Sequence, residues 1–356
     1  MGISMSNLRA IRSNTMKTIR FVTLFINLFW ATSCLALQPG EGVVLDPATG
    51  DYIISYRDGT VPGNPLYQVR FIPSTKIDPI LLSRFYIEKE KQIRYSYTIT
   101  NGVKGRQPLI DFGFGEISAL TIPKDTPLIS GVLAGTWGLT TPAGWNGFMA
   151  KKDTNYVVSW TIHPVATRQD GLQPGKSQGG FSFSSPDLPG LDMAEISGNG
   201  DPGNFPNEGP DDEEILNQYS QLQGNDFLTR PAAIPMISIP APFDAAVLLN
   251  NIQTQMHAWI GMNLLDSTFS SQLDRYLTAA ADAYRHNQPK AAKEDIERVR
   301  EMLKKEHQDL GRDEENENGN SRETKDNKKP AAVDRLAARV LDFDLMYVLR
   351  LGGDRD

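Results

Sequence analysis

Between Val43 and Ser197 short β-branched and aromatic runs alternate with Gly, Pro, Asn and Asp turn residues. That alternation constrains the fold more than any other feature of the chain. Tyr52–Tyr56 precedes an Arg57-Asp58-Gly59 turn, and Tyr67–Phe71 alternates cleanly. In Ile93–Ile99 the residues Ile93, Tyr95, Tyr97 and Ile99 fall on one face of a strand, closed by Asn101-Gly102. Further strands are predicted near 108–114, 117–122, 148–150, 156–162 and 180–184, while 81–90 fits a short helix or a strand. No long amphipathic helix interrupts them, which disfavours alternating β-α-β units. The expectation is an antiparallel β-sandwich over residues 37–197.

After Pro242 the period changes. Val247, Leu248, Ile252, Met256, Trp259 and Ile260 recur at helical spacing behind Asp244 as N-cap. A second helix carries Phe269, Leu273, Tyr276, Leu277, Ala280 and Tyr284 on one face, broken at His286-Asn287-Gln288. Pro289 opens a third, with Ala292, Ile296, Val299 and Leu303 opposite a densely charged face. A mixed-charge stretch without apolar residues follows, expected to be a disordered insertion over 311–330. Helical patterning returns at Ala331 and completes a three- or four-helix bundle over 243–350. The fold class expected is therefore mainly β plus a separate α region. The Gly-, Pro- and acid-rich residues 198–242 read as a linker, with a short helix at 213–221 and an extended Pro-rich run from Pro231 to Pro242.

Residues 1–36 read as a secretory signal, with the true start at Met1 or Met16. Lys17 and Arg20 precede the uncharged run Phe21–Ala31, and Ser33-Cys34-Leu35-Ala36 resembles a cleavage segment. This predicts a secreted or periplasmic protein. The alternative is a lipid anchor on Cys34, the single cysteine, which excludes an intramolecular disulfide. The leader is too short for an ordinary transmembrane span, and no other stretch is long and apolar enough. Lys and Arg total 36 against 43 acidic residues, which argues against a nucleic-acid partner.

Candidate ligand residues are few. Trp137 and Trp145 lie in Gly-rich loops and, with Tyr156, could present a stacking face to a sugar; core packing is the competing use of such aromatics. Asp201, Asp211 and Asp212 offer oxygen ligands for calcium, although their spacing fits no EF-hand. No other cofactor is implied. Asp111, Glu116, Asp125, Asp153 and Asp170 are scattered one per loop or strand, and His163 precedes Pro164. Neither pattern makes a catalytic constellation.

Two resemblances extend this reading. Trp145-Asn146-Gly147 through Trp160, then Pro174-Gly175 and Gly180-Phe181-Ser182-Phe183, resembles uncharacterised secreted bacterial β-sandwich proteins. Gly261-Met262-Asn263-Leu264-Leu265, the helix Leu273–Tyr284, Asn287 and Ala291-Ala292-Lys293-Glu294-Asp295-Ile296 resemble the FIMAH domain, an extracellular bacterial helical module. The second resemblance implies an accessory module attached to a larger secreted protein, and neither implies an activity. The expected function is that of a non-enzymatic exported protein with a cell-surface, matrix or glycan partner. Carbohydrate or matrix adhesion through loop aromatics, and a secreted hydrolase with a dispersed site, are the alternatives.

Overall fold

The computed structural model describes residues 37, 39–89, 91–121, 138–152, 154–162, 171–200, 205–206, 209–222, 226–308 and 331–353. The signal at 1–36 and the insertion at 311–330 lie outside them. The fold is mixed, with three antiparallel β-sheets and a cluster of C-terminal helices.

Strands β1 (Gly42–Asp46), β2 (Asp51–Arg57) and β3 (Leu66–Phe71) form a small meander. Strands β4 (Pro79–Lys89), β5 (Gln92–Asn101) and β9 (Lys176–Ser185) form a second sheet in the order β4-β5-β9. The third contains β6 (Leu109–Ile117), β7 (Asn146–Lys152), β8 (Asn155–Thr161), β10 (Leu188–Gly198) and β11 (Leu228–Ile237). Its order is β11-β10-β6-β8-β7. The ambiguous segment 81–90 thus falls largely within strand β4. Its backbone pairs along β5 from Pro79 opposite Asn101 to Lys89 opposite Gln92.

The alternation read in β5 is the alternation observed: Ile93, Tyr95, Tyr97 and Ile99 are all buried. They meet the aromatics of the five-stranded sheet. The ring of Tyr97 lies 4.7 Å from that of Phe114, and Phe112 meets Phe181 edge-on at 4.8 Å. Trp160 stacks on Phe112 at 5.1 Å. Contacts of this kind add to the area they bury, by about 0.5–1.5 kcal/mol per pair.

Residues 198–242 are more than a linker. Glu213–Leu222 forms helix α1, and Leu228–Ile237 is an edge strand, β11, that pairs with β10 from Leu188 to Ile196. Pro231 and Pro235 are tolerated there because an edge strand has one side outside the ladder. That open side faces β4. Ala233 N–H donates to Ser83 Oγ at 3.2 Å, Tyr97 Oη donates to Ala233 O at 2.8 Å, and Arg230 Nε donates to Pro79 O at 2.8 Å. Side chains therefore join the two sheets where no backbone ladder does.

Helices α2 (Ala245–Gly261), α3 (Ser267–Arg285), α4 (Pro289–Glu306) and α5 (Arg335–Gly352) follow. Asp244, Asp266 and Asp334 cap α2, α3 and α5 by accepting from the first-turn amides. The α region is not separate in its packing. Helices α2 and α5 lie on β10 and β11, Phe343 meets Phe85 of β4 at 5.1 Å, and one continuous apolar core runs through sheets and helices. A second, smaller core holds Ile54, Tyr56 and Phe71 of the meander against Ile215 of α1.

Candidate ligand cleft

Four helix ends meet at one side of the helical cluster. The chain enters α2 through Phe243 and Asp244, whose Oδ1 accepts from Val247 N–H at 3.0 Å. Helix α3 ends at His286, and Asn287 then turns the chain with φ of 56°. Asparagine tolerates this left-handed conformation, which is the usual one just beyond a helix C-terminus. Gln288 precedes α4 without a side-chain cap, and Pro289 opens that helix. Helix α5 finishes at Gly352 and Gly353.

Between these ends is a cleft of about 790 Å³. Its lining is Phe243, Asp244, Ala245, Ala246, Tyr284, Arg285, Asn287, Pro289, Lys290, Lys293, Gly352 and Gly353. The volume falls within the roughly 300–1,000 Å³ usual for small-molecule sites. Arg285 is tied to Asp282 on its own helix. Lys290 and Lys293, one turn apart on α4, make no hydrogen bond or ion pair among the described residues. Neither the Asn287 side-chain amide nor the Tyr284 hydroxyl has a hydrogen-bond partner among them. Burial pushes the Tyr284 hydroxyl above the usual tyrosine pKa, so it remains a donor. Gly352 permits its approach: a Cβ there would stand 2.7 Å from the hydroxyl oxygen. The cleft therefore brings two lysines, a side-chain amide and a phenol together beside Asp244, the one carboxylate in the lining among the described residues.

None of the described residues singled out from the sequence as ligand or catalytic candidates lines this cleft. Trp145 is only 8% exposed and packs edge-on to Phe181 at 5.0 Å and Phe112 at 6.0 Å. The Gly-rich loop delivers it to the core and not to a stacking face. Tyr156 is half-buried on β8 with the Lys151 ammonium 5.8 Å from its ring centre. Trp137 and Asp201 lie outside the described residues, as do Asp125, Asp153, His163 and Asp170. Asp212 accepts from Glu214 N–H at 2.8 Å and Ile215 N–H at 3.3 Å, which makes it the cap of α1. Its neighbour Asp211 is exposed. No group of three or more His, Cys, Asp or Glu that could hold a metal occurs among the described residues.

The cleft residues were visible in the sequence only as a helix break and a charged helix face. The signal that could have found them is the position of Lys290 and Lys293 beside a proline start without a capping side chain.

No family model matches the chain, and neither a curated protein nor a solved structure matches it.

Proposed function

We propose that this chain is an exported, non-enzymatic binding protein whose helical part presents a cleft for an anionic ligand. In this reading the two larger sheets form an antiparallel β-sandwich that serves as a rigid support. The four C-terminal helices form a bundle laid against it. The leader directs the protein to the periplasm or the exterior. The observation that carries the reading is the convergence of Lys290, Lys293, Asn287 and Tyr284 on one concavity, with their side-chain polar atoms unpaired among the described residues. Polar groups gathered in a concave site, unspent on the fold, are how small-molecule sites gain orientation and specificity.

The test is calorimetry of the full chain against a panel of carboxylates, sulfate and phosphate at low ionic strength. Binding is expected for at least one class of anion and should weaken about ten-fold or more, roughly 1.4 kcal/mol, in the Lys290→Gln, Lys293→Gln double variant. Glutamine retains helix propensity, so α4 should persist. Affinity that survives the double substitution would move the site elsewhere. Absence of any anion binding would overturn the reading.

A further inference from the structure

We infer that the cleft at the helix ends is shaped for an acidic saccharide, a ligand carrying hydroxyl groups beside a carboxylate. The inference rests on the reading that the cleft binds an anion, and it names the class. Three observations carry it.

The first is the mixture of donors and acceptors. Lys290 and Lys293 supply cations, yet Asp244 stands in the same lining. One of its oxygens caps α2 through Val247, and Oδ2 makes no bond among the described residues. A ligand with only anionic groups would be repelled there. A ligand with hydroxyls would donate to that oxygen while its acid group met the lysines. The Asn287 amide, which both donates and accepts, and the Tyr284 hydroxyl extend the same complementarity.

The second is the spacing of the cations. Residues three apart on a helix have Cβ atoms about 5–6 Å apart. Lys290 and Lys293 can therefore share one carboxylate or meet acids on adjoining sugar units. The third is the apolar side of the cleft. Phe243 and the largely buried Ala245 and Ala246 belong to its lining. The C–H face of a pyranose needs such a surface, and a compact inorganic anion does not.

The experiment is calorimetry of the full chain at low salt with three probes. They are a trigalacturonate, its methyl ester and a poly-glutamate peptide of equal charge. Trigalacturonate should bind at least about ten-fold more tightly than either of the others. Two variants leave the backbone requirements intact, because Asn replaces Asp well as a cap and Gly suits the left-handed turn. Asp244→Asn should weaken trigalacturonate several-fold while leaving poly-glutamate unchanged or tighter, and Asn287→Gly should weaken trigalacturonate alone. Equal affinity for poly-glutamate and trigalacturonate would overturn the saccharide inference and leave the anion reading standing. Equal affinity for the methyl ester would overturn both, and binding of none of the three would overturn the saccharide inference.

Discussion

Asp344 is fully buried on α5, and neither of its carboxylate oxygens has a hydrogen-bond partner among the described residues. Two residues earlier, Asp342 accepts from Arg300 Nε of α4 at 2.7 Å. Positions two apart on a helix are about 200° apart, so one aspartate reaches the ion pair while the other is carried into the core. Burial pushes the Asp344 carboxyl well above the usual carboxylate range, and Tyr95 of β5 is raised first by its own burial and then by its proximity to Asp344. The sign of the pH effect follows. A folded pKa above the unfolded value of about 3.9 gives a contribution fully present below that pH and lost as pH rises towards the folded pKa. Asp344→Asn removes the ionisation cost while keeping the shape. It should raise the midpoint of thermal unfolding at pH 7, by about 2–4 °C for each kcal/mol recovered, with the gain shrinking towards pH 4. Melting curves of both proteins across that range check it, and a gain independent of pH would contradict it. A second residue is limited by space. A Cβ on Gly113 of β6 would stand 2.8 Å from Val158 O and 2.9 Å from Ser159 Cβ on β8. Gly113→Ala should cost about 1–3 kcal/mol in denaturant titrations, because the atom it strikes first is backbone.

At the scale of elements, the period-two runs were the most legible. The alternation in β5 needs only that one side be dry, and Trp160 and Phe181 fall in the core as their strands imply. Strand β11 was legible as extended but not as part of a sheet. Its prolines argue against a strand unless the neighbour on its open side is known, and that neighbour, β4, lies about 150 residues earlier in the chain. Trp145 was left between a stacking face and the core for a related reason: a Gly-rich loop marks a turn and carries no information about which way the turn delivers a side chain. The cleft was illegible because the turn between α3 and α4 is joined there by the start of α2 and the end of α5, which are distant from it in sequence. These contacts make a prediction about the fragment 37–197, which the sequence alone reads as a sandwich. Without β11 and the helices, Leu191, Ala194 and Ile196 of β10 lose their cover. The fragment should aggregate or unfold without a cooperative transition. A sharp denaturant transition from a monomeric 37–197 would show instead that the helices are dispensable.

For the whole molecule, the two apolar cores imply two levels of stability. The larger runs through two sheets and the helical cluster, and the smaller holds the meander against α1. Part of what joins them is ionic. Asp51 of β2, with no exposed side-chain surface, accepts from Arg106 Nη1 at 2.8 Å and Nη2 at 2.6 Å, and from Arg70 Nη1 at 3.0 Å. Arg106 belongs to the connection between β5 and β6, so this carboxylate ties the meander to the main body. Burial opposes its charge, but the Arg106 and Arg70 bonds outweigh that and hold the carboxyl below the usual range. The contribution is present above about pH 4 and is lost as pH falls through the lowered folded pKa. Asp51→Asn removes it at every pH and leaves two arginines without their shared partner. Hydrogen exchange in β1, β2, β3 and α1 should then accelerate about ten-fold or more at neutral pH, as expected when a local opening free energy falls by roughly 1.4 kcal/mol. Trp145, Trp160 and Trp259, three of the five tryptophans, sit in the larger core, and none of the described tryptophans lies in the smaller one, so the fluorescence of these three follows the larger core. Its denaturant midpoint should stay nearly unchanged in the variant. Equal shifts in exchange and in fluorescence would mean that both cores open together, and that the Asp51 link supports the entire protein and not one joint within it.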